Sequence, residues 1–403
     1  MNNRDHFKGI STTAIHAGEN PGPSTGDSAP PIHMSSTFHV EEEASFSAVG
    51  FSEDDPYFYS RWSNPSVDML SRKIAALEGT EDCACFASGM AAATSMFLTN
   101  LSSGDHAIFS DVAYAGVSEF ARDTLYRYGI EVSYVDMSDL DSVRNAFREN
   151  TRLVHAETPA NPIMRITDLA KIAELAKEAS ALATCDSTFS SPIATCPAEF
   201  GFDLVMHSVT KYIGGHGDAI GGAVAGSREL VGKLRSESCI HHGGIMSPFN
   251  AWLIARGAST LPLRMKAHEA NAFAVARWLE DHPKVSLVLY PGLESHPQHL
   301  LARSQMENFS GMIAFQVGGR KNGEKIAEFM RRGLKVIHYA VSLGHHRSLI
   351  YWLGTNEMIE SSFRLQGEQL RSYRAFAGDG LFRFSVGLED PEDLIDDLDR
   401  VLT

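Results

Sequence analysis

His207-Ser208-Val209-Thr210-Lys211-Tyr212-Ile213-Gly214-Gly215-His216 is the stretch whose reading decides the fold. It continues the apolar run Asp203-Leu204-Val205-Met206-His207, which has the length of a buried strand, and its paired glycines break the chain afterwards. Two hydroxyls, Ser208 and Thr210, therefore stand just before one lysine amine at a strand end. A lysine amine forms a Schiff base, and neighbouring hydroxyls hold a phosphate. Together these are the chemistry that anchors pyridoxal phosphate (PLP). Taken alone, Ser-x-Thr-Lys also describes a surface loop, so the reading depends on partners elsewhere in the chain.

Working outward, short apolar runs of strand length fall at 106–109, 132–135, 153–155, 182–185 and 204–206. Helical spacing covers 67–77, 90–98 and 169–179 between them. Such alternation predicts an α/β fold with a mostly parallel sheet covered by helices. After about residue 255 the order loosens. Helices at 267–279 and 324–331 and strands at 285–290, 312–317 and 382–386 predict a smaller α+β unit. Asp390-Pro391-Glu392 opens a last helix, with Pro at its first position and acids in its first turn. Residues 1–65 are irregular and rich in proline. The expected division is an arm over 1–65 that either contacts a neighbouring subunit or is disordered, a large cofactor-binding domain over 66–255 and a small C-terminal domain over 256–403.

Composition narrows the partners. The 403 residues carry a net charge of −15 without a basic cluster, which argues against nucleic acid and anionic membrane. An anionic substrate then needs local positive charge. No apolar run approaches the ~20 residues that cross a bilayer, and the first residues lack the apolar core of a signal peptide. The five cysteines, an odd number without paired spacing, read as free thiols in a reducing cytoplasm. His241-His242 and His345-His346 are adjacent pairs, a poor arrangement for ligating one ion, and no metal is expected.

Ligands of open α/β sheets sit beyond the carboxyl ends of the strands. Ser88-Gly89-Met90 opens a helix whose free N–H groups suit a phosphate, although an ordinary capped terminus reads the same way. Asp186 ends a strand. It suits a protonated ring nitrogen, although a turn aspartate reads the same way. Asp186 and Lys211, on successive strand ends, are laid out as the two poles of one pyridoxal ring.

Six motifs run in one order: Tyr59-Ser60-Arg61-Trp62-Ser63-Asn64-Pro65, Ala87-Ser88-Gly89-Met90-Ala91, Glu157-Thr158-Pro159-Ala160-Asn161-Pro162, Asp186-Ser187-Thr188, the Lys211 stretch, and Arg383-Phe384-Ser385-Val386-Gly387-Leu388-Glu389. In this the chain resembles the cysteine/methionine-metabolism family of PLP-dependent enzymes, within the aspartate-aminotransferase-like fold (fold type I). The resemblance implies roles. Lys211 would be the Schiff-base lysine and the proton shuttle between Cα and Cβ. Asp186 would face the ring nitrogen and Asn161 the ring oxygen. Ser88, Gly89, Met90, Ser208 and Thr210 would hold the phosphate, with Tyr59 and Arg61 reaching it from a neighbouring subunit. Tyr114 would stack on the ring and serve as acid or base at the leaving group. Arg383, helped by Ser342, would clamp the substrate carboxylate, a bidentate task suited to a guanidinium. The implied assembly is a homo-oligomer, at least a dimer and commonly a tetramer.

The departures bear on substrate. Family members that handle cystathionine resemble one another in carrying glutamates where this chain has Phe58 and Val341. That places it nearer the methionine γ-lyases. Those enzymes in turn carry a cysteine where this chain has Gly116, and a Lys-Asp pair in the segment occupied here by Cys239-Ile240-His241-His242. The usual Gly-Gly-x-Glu is here Gly344-His345-His346-Arg347. The expected activity is γ-elimination from a γ-substituted L-amino acid that is not methionine. The foremost candidate is L-canavanine, which would lose hydroxyguanidine. Gly116 would make room, and Glu53, Asp54 and Asp55 could meet a distal cation, although such a run also reads as a solvated loop. The alternatives are a methionine γ-lyase, then a cystathionine lyase or synthase or an O-acyl-homoserine sulfhydrylase. A nicotinamide dehydrogenase would need Gly-x-Gly-x-x-Gly after an early strand, and none is there. A non-catalytic scaffold would have no use for an intact set of Lys211, Asp186, Tyr114 and Arg383.

Overall fold

Apolar strands joined by amphipathic helices bury both faces of a sheet only when helices cover each side. The computed structural model of the chain, which describes residues 7–19, 26–40 and 55–402, contains such a sheet. Its strands are β1 (Asp82–Phe86), β2 (His106–Ser110), β3 (Glu131–Val135), β4 (Thr151–Glu157), β5 (Leu182–Asp186), β6 (Leu204–His207) and β7 (Gly222–Gly226), in the order β1-β7-β6-β5-β4-β2-β3. β7 runs antiparallel to both of its neighbours; the remaining pairs are parallel. The carboxyl ends of β1, β2, β4, β5 and β6 therefore open on one edge.

A second sheet follows, with strands β8 (Leu287–Leu289), β9 (Met312–Gln316), β10 (His338–Tyr339), β11 (Leu349–Gly354) and β12 (Gly380–Ser385), ordered β10-β11-β12-β9-β8. Its pairs are antiparallel apart from β10 with β11. No helix among the described residues is long and apolar enough to cross a membrane.

Local chemistry sets the helix ends. The helix Pro65–Glu78 starts where the Asn64 side chain accepts from the Ser66 N–H at 2.9 Å and Pro65 takes the first position. It stops where Gly79 turns left-handed at φ 67°. The structure has elements that were not expected, among them the helices Pro248–Ala258 and Gly367–Ala377 and the strand β11. A helix spans Ile10–His16 inside the arm, held by the buried Lys73, whose Nζ donates to the Ala14 and Ile15 carbonyls at 2.7 and 2.8 Å. Seven residues are too few to carry a clear period. β1 and β7 were not expected either: both are buried on each face, and their small residues give no alternation. The helix Leu261–Asp281 begins well before 267, at a Leu-Pro start.

The two sheets are pinned together at the loop after β6. The Arg264 guanidinium, buried, donates to the Tyr212 carbonyl at 2.6 Å and to the Ile213 and Gly257 carbonyls at 3.1 and 2.9 Å. The Tyr212 hydroxyl accepts from the Gly311 N–H at 3.1 Å, and the His346 N–H donates to the Gly215 carbonyl at 2.9 Å. Gly344 lies against this loop at φ 70°, where a Cβ would come within 2.6 Å of the Tyr212 nitrogen, so no larger residue fits.

Candidate active site

Lys211 follows β6 and meets the second sheet. Its Nζ donates to Ser342 Oγ at 2.7 Å. Burial first, and the Arg383 charge second, lower the amine from its ordinary value to about 8. Such an amine is part neutral near physiological pH and can take a proton. Arg383, on β12, donates to Asn161 Oδ1 at 3.1 Å and to the Ser342 carbonyl at 3.4 Å. Burial lowers its own pKa, opposed chiefly by Glu157.

Asp186 ends β5 and is buried. Burial raises its carboxyl, opposed by hydrogen bonds from Thr188, whose N–H donates to Oδ1 at 2.9 Å, and by His207. Its cross-strand partner is Glu157, at the end of β4. Burial and the neighbouring Asp186 push the Glu157 carboxyl well up. Motif reading assigned Glu157 no task, yet its two oxygens accept the backbone N–H groups of Tyr114 at 2.6 Å and Asn161 at 2.7 Å. It thus straps two expected site residues to one strand end. The signal was present: an acid closing a strand beside another strand-ending acid has to be held there by donors. Thr188 is a second residue passed over. Its hydroxyl accepts from the Ser208 N–H at 2.8 Å and so links the turn after β5 to the Lys211 loop.

The helix Gly89–Asn100 points its N-terminus at Ser208. The Ser88 hydroxyl accepts from the Ala91 N–H at 3.1 Å, and the Gly89 and Met90 N–H groups lie outside the intrahelical ladder. A Cβ on Gly89 would come within 2.8 Å of the Ser208 Cβ and Oγ, so glycine is what lets the helix start approach the hydroxyl. Thr210 is engaged within its own loop. Its hydroxyl donates to the Gly221 carbonyl and accepts from the Gly221 N–H, each at 3.1 Å.

Tyr114 precedes a short helix, Ala115–Glu119, and is 48% exposed. Gly116 lies under its ring. A Cβ there would come within 2.8 Å of Tyr114 Cε1 and 3.1 Å of Met90 Sδ. The room expected beside Gly116 for substrate is thus taken by the tyrosine ring itself. Val341, next to Ser342, is 63% exposed. Other expected residues lie elsewhere within the single chain. Phe58 is buried with its ring centroid 4.9 Å from that of Trp62. Tyr59 bridges to Thr37. Arg61 donates to the Ile240 carbonyl, with its guanidinium 5.5 Å from the Tyr59 ring centroid. Glu53 and Asp54 lie outside the described residues, and Asp55 is exposed.

These residues fit pyridoxal phosphate. Asp186 is a buried acceptor with a raised pKa whose one opposing charge is His207, itself bonded to Glu78 at 2.5 Å; a cationic ring nitrogen satisfies it. The helix start at Gly89 with Ser208 suits a phosphate. Lys211 supplies an amine with a lowered pKa between that cradle and the Arg383 clamp.

Comparison with known proteins agrees. The family model for Cys/Met metabolism PLP-dependent enzymes matches residues 11–403. The chain is 42% identical, over 99% of its length and 98% of the relative, to a canavanine γ-lyase of Rhizobium leguminosarum bv. trifolii (strain WSM2304). It is 40% identical, over 98% of each chain, to an L-methionine γ-lyase of Fusobacterium nucleatum subsp. polymorphum. The crystal structure of metB from Corynebacterium glutamicum matches with a TM-score of 0.87 at 36% identity, over 98% of each chain.

Proposed function

The chain belongs to the Cys/Met metabolism family of PLP-dependent enzymes, and from that premise we propose that it is a γ-lyase for a γ-substituted L-amino acid, with L-canavanine as substrate. The observation that carries the γ-lyase reading is the grouping of Lys211, Ser342 and Arg383. It sets a proton-accepting amine beside a carboxylate clamp. Canavanine is supported by the canavanine γ-lyase relative. It is supported too by Gly116, where a larger side chain would displace Tyr114, and by Val341 at the exposed rim in place of an acid. The second reading, methionine, is favoured by the methionine γ-lyase relative.

When bound, pyridoxal phosphate supplies a cationic ring that takes up the electron pair left as a substrate C–H bond breaks. Asp186 would keep that ring cationic, and Asn161 would face its oxygen. Ser88, Gly89, Met90, Ser208 and Thr210 would hold its phosphate. Arg383 orients the substrate carboxylate, and Asn161 and Ser342 in turn fix the guanidinium. Lys211 Nζ takes the Cα proton, gives it up, and is then free to take a Cβ proton. The Cγ–O bond breaks with its electron pair on oxygen. Tyr114, its backbone held by Glu157, offers that oxygen a proton. Incubation with L-canavanine should release hydroxyguanidine, identified by mass. Release of guanidine, from cleavage at the N–O bond, would rule this reaction out.

The reading includes a cytoplasmic homo-oligomer, commonly a tetramer, in which Tyr59 and Arg61 complete a neighbouring site. Its support is that these two side chains are engaged away from Lys211 in the single chain. Arg61→Ala and Lys211→Ala chains, each inactive, should regain partial activity when assembled together. No recovery on mixing would refute the shared site.

A further inference from the structure

Ser342 holds its backbone at φ 94°, a conformation that residues with side chains rarely adopt. That turn brings its hydroxyl between two nitrogen atoms. Oγ accepts from Lys211 Nζ at 2.7 Å and lies 3.3 Å from His345 Nε2. His345 itself packs over Gly217, where a Cβ would come within 2.7 Å of its Cε1 and 2.8 Å of its Nδ1. Gly217 and its neighbours His216 and Asp218 are exposed. One line of polar atoms thus runs from the Lys211 amine, through one hydroxyl, to a ring at the edge of an exposed loop.

The charged and titratable groups facing that ring are Lys211, His346 and Asp218. Burial first, then Lys211 and His346, lower the His345 pKa, while Asp218 opposes them. His346 continues the row, with its ring centroid 5.6 Å from that of His216. The His345 imidazole has a ring nitrogen that can accept a proton. With its hydrogen on Nδ1, Nε2 is an acceptor for Ser342.

We propose that His345 is a positioning residue that gives Lys211 a proton exit, in which the Ser342 hydroxyl passes its proton to His345 Nε2 as it takes one from Lys211 Nζ. The N–H bond at Lys211 breaks as a new O–H bond forms. The old O–H bond breaks as an N–H bond forms at His345, and the hydroxyl is left unchanged. The imidazolium then loses its Nδ1 proton to water at the exposed loop, and exchange with water returns the remaining hydrogen from Nε2 to Nδ1 before the next transfer. The inference rests on the acid–base role of Lys211 and adds what happens to the proton between substrate carbons. A lysine with a fast exit exchanges its proton with solvent; without one it returns the same proton to substrate.

The test reads isotope content, not rate. The holoenzyme turns over L-canavanine deuterated at Cα, or whichever γ-substituted amino acid it accepts, in ordinary water. Deuterium left in the carbon skeleton of the product is measured by mass spectrometry. The native enzyme is expected to wash out most of the label. His345→Gly should retain several-fold more. His345→Gln keeps an acceptor for the Ser342 hydroxyl but carries no proton, so it too should retain label while melting like the native enzyme. Equal retention in all three proteins overturns the exit route and leaves the role of Lys211 standing. Full retention of label by the native enzyme also overturns the exit route, whereas product that forms with the Cα–D bond never broken overturns the role of Lys211 as well.

Discussion

Lys211→Ala is expected to lower turnover by at least about 10⁴-fold, the upper range for losing one positioned acid–base group, because the same amine both attaches the cofactor and moves the substrate protons. No neighbour can substitute. Lys73 is buried, and its Nζ is engaged by the Ala14 and Ile15 carbonyls and by Glu19 at 3.2 Å. Steady-state turnover checks the rate. Borohydride reduction followed by denaturation checks the attachment: cofactor should stay fixed to the native chain and not to the variant. A variant within about tenfold of native turnover, a barrier change of only about 1.4 kcal/mol, would mean that Lys211 is not the central group.

Arg383→Ala is expected to reduce kcat/KM by roughly 10²–10⁴-fold, from the loss of two hydrogen bonds to a charged group at about 1.5–3 kcal/mol each. Arg383→Lys should recover little of this, since a point charge does not reproduce a planar fork held by Asn161 and Ser342. The pH profile gives an independent signature. The Arg383 charge helps to lower the Lys211 amine to about 8. Removing it raises that pKa, leaves less free amine at neutral pH, and moves the rising limb of the rate profile to higher pH. A limb that stays in place, with kcat/KM unchanged, would separate Arg383 from the site.

Much of this arrangement was legible in the residues. Lys211 and Asp186 could be placed because strand ends in a parallel sheet share one edge, and a strand-length apolar run precedes each. Other parts were hidden for physical reasons. β7 is glycine and alanine with a single valine, so it carries no alternation. It lies so close under the site helix that a Cβ on Gly222 would come within 2.2 Å of the Ser88 carbonyl oxygen. Glu157 was visible as an acid closing a strand, but which groups it holds was not, because a bond to the backbone leaves no mark on the residues it holds. Gly116 was legible as small. What fills the space beside it, the Tyr114 ring, depends on the turn after β2. His345 could be seen as a departure, but its partner Ser342 is set by one left-handed residue that no periodicity announces.

The direct measurement of substrate choice is kcat/KM of the purified holoenzyme for L-canavanine and L-methionine under identical conditions, with cystathionine and O-acetylhomoserine alongside. The account predicts the highest value for L-canavanine. A value for L-methionine well above that for L-canavanine would contradict it.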